Sequence, residues 1–216
     1  MSIFILITIA VFIFISKSNI SKRKGRRGER QVSIQMTGLF SSTDKILHNL
    51  YLPWPNGTTT EIDQIVITSS GIFVIEVKNY SGWIFGDQWN NYWTQVLPKG
   101  YSGKSEKNRF FNPIKQNQQH ISCINKNLDY YNVPYHSIVV FSDYCSFKKL
   151  SYVPSSVGVV HKKNLRRYIR KIEKNYRGSL NQQEINMLYN KLLKASVKSP
   201  GIEKKHITEI KDRQKI

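Results

Sequence analysis

A chain of 216 residues buries one sizeable core and is too short for two large independent ones. Its 22% charged and 40% hydrophobic content is ordinary globular usage, which excludes collagen-like, wholly disordered and disulfide-framework classes. The charge is unusual: 33 Lys and Arg face 14 Asp and Glu, a formal +19 that points to a polyanion or an anionic membrane surface.

That excess is uneven. Residues 1–27 carry +6, residues 28–160 only +2, and residues 161–216 carry +11. Cys123 and Cys145 show no metal-ligand spacing, so they read as free core thiols and no zinc is expected.

In chain order, the first feature is the apolar run Ile3 to Ile15, broken only by Thr8. As a helix it spans roughly 20 Å at ~1.5 Å per residue, short of a ~30 Å hydrocarbon layer. Nothing basic precedes it, whereas Lys17, Lys22, Arg23, Lys24, Arg26 and Arg27 follow. This order opposes a cleaved signal peptide and fits a short signal anchor whose basic flank holds the rest of the chain in the cytoplasm. A buried helix or a start-site artefact is the alternative. Residues 17–27 then read as a basic juxtamembrane linker.

Glu29 to Leu39 has apolar Val32, Ile34, Met36 and Leu39 at helical spacing, which predicts a first helix. Leu50 to Asn56, with two prolines, reads as an irregular or edge segment. Ile62 to Thr68 and Ile72 to Lys78 bracket Ser69, Ser70 and Gly71 and predict a β-hairpin. Trp89 to Val96 predicts a third strand, Pro98 to Asn112 a Gly, Ser and Lys-rich loop, and Pro113 to Asn127 a helix opening on proline. Ser137 to Phe141 and Val157 to Val160 predict short buried strands. Lys162 to Arg177 places Leu165, Tyr168, Ile169, Ile172 and Tyr176 on one helical face and basic residues on the other. Ser179 and Gln182 predict a capping box for a last helix with Ile185, Leu188, Tyr189 and Leu192 inward. The order fits a mixed α/β or α+β sheet with helices packed on it. The expected division is an anchor helix over 1–16, the linker 17–27, a folded domain over 28–160, basic C-terminal helices over 161–198 and a disordered tail over 199–216.

The chemistry concentrates in the hairpin. Strand alternation puts Glu76 and Lys78 on one face and Ile75 and Val77 on the other. Asp63 on the preceding strand joins that face if the turn holds an even number of residues; an odd turn requires a bulge, and the sequence leaves both open. Two close carboxylates require a cation between them. With no His or Cys at ligand spacing, the oxygen donors suit Mg²⁺ or Mn²⁺, which lowers the pKa of a bound water and stabilises charge on a scissile phosphate. Lys78 would position the nucleophile or a phosphorane oxygen. The competing reading is a cross-strand ion-pair network with no catalysis.

Four blocks weigh on that choice: Gly28 to Val32, Thr60 to Val66, Gly71 to Gly82, and Asn112 to Gln116 with His120. In order and spacing they resemble the NERD, or nuclease-related, domain of the PD-(D/E)xK superfamily, over roughly residues 26 to 145. The resemblance implies a restriction-endonuclease-like mixed sheet flanked by helices. It implies metal ligation by Asp63 and Glu76 with the Val77 carbonyl, water orientation by Lys78, and support from Glu29 and Gln116. The resemblance implies a nuclease, and with the anchor read from the N-terminal run the expected function is a membrane-anchored, Mg²⁺-dependent nuclease with DNA favoured over RNA. The alternative is an inactive nucleic-acid-binding or scaffold protein at the membrane.

Phosphate-binding candidates are Lys99, Lys104, Lys107 and Arg109 in the long loop, and Arg166, Arg170 and Lys174 on the basic helix face. Each group reads equally as a solvated surface. Trp54, Tyr80, Trp83, Trp89, Tyr92 and Trp93 are either core or base-stacking residues, with core the commoner outcome. His120 is either a satisfied helix histidine or a member of the site.

Overall fold

The computed structural model describes residues 32, 38–99, 104–129 and 132–197, with only the backbone of Lys99 and Lys104. Glu29, the apolar run Ile3 to Ile15, the basic linker and the 199–216 tail lie outside the described residues. Among the described residues no helix is long and apolar enough to cross a membrane.

The fold is mixed α+β, with two mixed sheets rather than the single sheet expected. The larger has strand order β1-β2-β3-β7-β9, built from Lys45–Pro53, Thr59–Thr68, Gly71–Lys78, Tyr135–Phe141 and Val157–His161. Its first three strands are antiparallel, and β7 and β9 join in parallel. The smaller sheet has order β6-β5-β4-β8, built from Lys104–Phe111, Tyr92–Lys99, Gly82–Asp87 and Cys145–Ser151. The described helices are α1 (Pro113–Asn127), a 3-10 turn over Lys162–Asn164, α2 (Leu165–Tyr176) and α3 (Gln182–Ala195).

The hairpin forms as the turn residues dictate. Thr68 pairs with Gly71 across the two-residue turn Ser69-Ser70, so the loop is even. Gly71 sits at φ +118 with the Pro134 carbonyl 2.4 Å from where a Cβ would be, so only glycine fits there.

Alternation in β3 then sorts the core. Ile72 and Val74 pack with Ile65 and Ile67 of β2, Cys123 and Ile124 of α1, and Ile185, Leu188 and Leu192 of α3. Phe73 and Ile75 point the other way, onto Val32, Leu165 and Ile169. The two C-terminal helices therefore cover opposite faces of the larger sheet. A third cluster, with Ile84, Trp93, Ile114, Val139 and Phe141, joins the two sheets. Cys123 and Cys145 are both free and buried.

Several boundaries differ from the sequence expectation. Leu39 lies in a turn, not a helix. The strand expected from Trp89 starts at Tyr92, because the Asp87 carboxylate takes the Trp89 and Asn90 N–H groups, each at 2.8 Å, and folds them into a turn. The Pro98 to Asn112 loop is largely strand: β5 runs to Lys99, and β6 pairs with it from Lys104 to Phe111. As a sheet edge, β6 carries a polar sequence that hides its strand character. The last capping box belongs to Asn181 and Glu184, with reciprocal bonds of 3.0 and 2.8 Å. Ser179 turns its hydroxyl back to the Tyr176 carbonyl, and the Leu180 N–H binds the Ser69 carbonyl, so the chain docks before the helix starts.

Trp93 stacks on Phe141 at 6.0 Å and 6° between planes. A Cβ on Gly86 would fall 2.2 Å from the Trp93 ring. Gly86→Ala is expected to cost about 1–3 kcal/mol through overpacking, measured by urea unfolding. Gly57→Ala, where nothing lies within 4 Å of the added carbon, is expected to cost less despite its positive φ.

Candidate active site

Site formation begins with strand register. The β2–β3 pairing runs up to Gln64 opposite Ile75, and Asp63 follows where the ladder ends. Glu76 and Lys78 lie on the α1 side of the sheet, in reach of His120 and Gln116. The ladder stops at Asp63 because it substitutes its side chain for a backbone partner: the Val77 N–H donates to Asp63 Oδ2 at 2.7 Å. A strand residue's N–H and C=O leave on the same side, so the Val77 carbonyl points toward β2. The next carbonyl, of Lys78, points the other way and accepts the Ser142 N–H at 3.1 Å.

Helix α1 closes the cluster from above. Gln116 and His120 are four residues apart and so share one helical face. Lys78 Nζ donates to Glu76 Oε1 at 2.6 Å and to Gln116 Oε1 at 2.9 Å. His120 Nε2 lies 3.1 Å from Glu76 Oε2, and its Nδ1 lies 2.9 Å from the Thr60 hydroxyl. An ionised carboxylate only accepts, so Nε2 carries a proton. Asn117 holds the helix in place, its Nδ2 donating to the Val74 carbonyl at 2.8 Å and to Ser137 Oγ at 2.9 Å. At the helix start, the Asn112 side chain accepts the Ile114 N–H and donates to the carbonyls of Asp87 and Asn90.

The electrostatics follow from this burial. Burial pushes the Glu76 carboxyl up, but the Lys78 ammonium and the His120 bond outweigh it and hold it below the usual carboxylate range. Burial likewise works against the Lys78 ammonium, and Glu76, Tyr80 and Asp63 together raise it above the ordinary lysine value. That environment favours the ammonium form of Lys78, which suits it to orient a water or an oxyanion. Burial raises the Tyr80 phenol, and Lys78 pulls it back.

The structure thus brings Asp63, Glu76, Lys78 and Gln116 together, while Glu29 lies outside the described residues. Arg166, Arg170 and Lys174 are exposed on α2, across the larger sheet from this cluster. Lys107 and Arg109 are exposed on β6, and Lys104 opens that strand. As neighbours of the site, Thr60 and Tyr80 escaped sequence reasoning. Thr60 lies inside one of the four blocks but carries no distinguishing chemistry; Tyr80 packs on Phe110 and Phe141 as its core reading predicts, and only the fold shows that it also neighbours Lys78.

Among the described residues no three His, Cys, Asp or Glu side chains form a metal-holding group. The donor chemistry nevertheless fits a hard divalent ion: two carboxylates and a strand carbonyl on one side, all oxygen. Glu76 accepts one contact at each oxygen, and a carboxylate has about four acceptor sites, so its capacity is not exhausted.

The family model for the nuclease-related domain, NERD, matches residues 24–142. The chain belongs to the NERD family. A relative from Bacillus anthracis, described as an uncharacterized protein, is 34% identical over 208 residues, covering 95% of this chain and 93% of that protein. No solved structure matches the chain. The matched NERD region contains Asp63, Glu76, Lys78, Gln116 and His120, together with all of β1 to β7 and α1.

In this NERD domain the Glu76 carboxyl is lower in the folded chain than its ordinary 4.5. The unfolded chain therefore takes up that proton first as pH falls. The stabilising contribution is full above the ordinary value and drains away below it. Glu76→Gln, which strands the Lys78 ammonium, is expected to cost on the order of 3 kcal/mol at neutral pH. In urea unfolding with EDTA, the wild-type advantage over Glu76→Gln is expected to shrink as pH falls below the carboxylate range.

Proposed function

We propose that this protein is a metal-dependent nuclease that hydrolyses phosphodiester bonds, with DNA favoured over RNA, held at the cell membrane by residues 3–15 with its NERD domain in the cytoplasm. The observation that carries the catalytic part is the convergence of Asp63, Glu76, Lys78 and Gln116 around the end of β3 under α1. The antiparallel β2–β3 hairpin followed by parallel β7 supports a restriction-endonuclease-like core. The anchor rests on the apolar run and the basic cluster that follows it.

Asp63, Glu76 and the Val77 carbonyl would hold Mg²⁺ or Mn²⁺. The bound ion supplies a water of lowered pKa and a countercharge for the scissile phosphate. Lys78 orients the attacking water and stabilises the charge that develops on the phosphoryl oxygens. Gln116 fixes the Lys78 ammonium through its amide oxygen, and His120 fixes Glu76 and is itself steered by Thr60. Glu29, which the family resemblance assigns a supporting role, would add a further carboxylate.

A second reading, an inactive binding or scaffold protein on the same fold, is favoured by one observation: Lys78 and His120 already engage both Glu76 oxygens. Cleavage assays on single- and double-stranded DNA and RNA, with and without Mg²⁺, separate the two. Asp63→Asn, Glu76→Gln and Lys78→Ala are each expected to lower Mg²⁺-stimulated cleavage at least ~100-fold. His120→Ala and Gln116→Ala are expected to lower it about 10–100-fold. Wild-type protein that yields no metal-stimulated product sinks the enzyme reading. For the anchor, deleting residues 1–16 is expected to move the protein from the membrane fraction to the soluble fraction; unchanged partitioning refutes the anchor.

A further inference from the structure

The smaller sheet has two unlike faces. Ile84, Trp93 and Phe110 point inward onto Phe141. The opposite face carries two cross-strand rows set by register: Trp83, Val96 and Lys107 in one, Phe85, Thr94 and Arg109 in the next. Tyr92 lies at its end, opposite Phe111. Trp83 is 40% exposed and Tyr92 38% exposed. Each has a cation at its ring: Arg109 Cζ is 4.9 Å from the Tyr92 centroid, and Lys148 Nζ, from the bulge in β8, is 5.2 Å from that of Trp83.

Charge on this face is one-sided although residues 28–160 as a whole are nearly balanced. The face carries Lys107 and Arg109 from β6 and Lys149, opposite Phe85, from β8, with Lys148 at the Trp83 ring, while the acids of the four strands are Asp87 and Glu106. Register turns Glu106 to the other face with Asn108 and Phe110, and Asp87 spends its carboxylate on the Trp89 and Asn90 turn. Val96, the only aliphatic side chain in the two rows, is itself buried. Exposed rings interleaved with cations, without protruding aliphatic groups, match unpaired bases on a phosphate backbone better than a lipid surface.

We propose that this outer face is a platform for single-stranded nucleic acid, with Trp83 and Tyr92 stacking on bases and Lys107, Arg109 and Lys148 tracking phosphates. The face leads toward the active site. Trp89, 70% exposed, sits in the β4–β5 turn, and that turn is tied to α1 by Asn112 and by Lys115 Nζ, 2.6 Å from the Trp89 carbonyl. The residue after Lys115 is Gln116, which holds Lys78. The proposal rests on the nuclease reading and names the substrate class: a strand with unpaired bases rather than a closed duplex.

The test measures binding without turnover. Full-length protein in EDTA is titrated against a labelled oligothymidylate, the matching duplex, and phosphatidylglycerol vesicles. Tighter binding to the single strand is expected. Trp83→Ala and Tyr92→Ala are each expected to weaken it about 10-fold, with Tyr92→Phe close to wild type. Arg109→Gln is expected to flatten the salt dependence by roughly 0.7 in log–log slope. Duplex binding as tight as single-strand binding, alanine variants without effect, or capture by the vesicles but not by oligothymidylate each overturns the platform. Absence of Mg²⁺-stimulated cleavage with this binding intact would remove the nuclease reading and leave the platform standing.

Discussion

Everything at the candidate site depends on the register of one hairpin. With two residues in the Ser69-Ser70 turn, Gln64 falls opposite Ile75, and Asp63, next in the strand, meets the Val77 N–H with its carboxylate beside Glu76 and Lys78. A slip of one residue would break the cluster. The turn is held from outside: Gly71 takes a backbone conformation that brings it against Pro134, and the Ile72 N–H binds the Pro134 carbonyl at 2.9 Å. The same contact feeds β7 into its parallel place beside β3. Register, sheet order and site are therefore consequences of one local constraint.

On that frame, helix α1 turns a row of charges into a site. Without it, Glu76 and Lys78 would form a solvated pair of little energetic weight. Asn117 fastens the helix to β3 and β7, and Asn112 fastens its start to the β4–β5 turn. Gln116 and His120 are then delivered onto Lys78 and Glu76. Burial makes every polar contact there more consequential, because a buried charge that loses its partner is costly. The cation beside Asp63 and Glu76 in this structure is Lys78, as the ion-pair reading of the hairpin predicts.

The smaller sheet shows where local pattern misleads. Its edge strand β6 reads Lys-Ser-Glu-Lys-Asn-Arg before two phenylalanines, and β8 reads Cys-Ser-Phe-Lys-Lys. Neither has an apolar stripe of its own. Each becomes a strand by pairing, β6 with β5 next in the chain and β8 with β4 some sixty residues earlier. The aromatic residues divide along the same line: Trp93 is core, while Trp83, Tyr92 and Trp89 are left at the surface by alternation and by the Asp87 turn.

The sequence by itself determined the hairpin, the helix Pro113 to Asn127, the buried strands after it and the amphipathic C-terminal helices, because each depends on periodicity, turn residues or caps within a short window. It also identified Asp63, Glu76, Lys78 and Gln116, since charged side chains in apolar strands stand out and four blocks in order resemble one family. Tertiary structure alone decided the hairpin's register, the second sheet, the entry of His120 with Thr60, and the separation of the basic α2 face from the site by the thickness of a sheet. These depend on long-range pairing and on which face of a strand is covered, and no short window of residues encodes either.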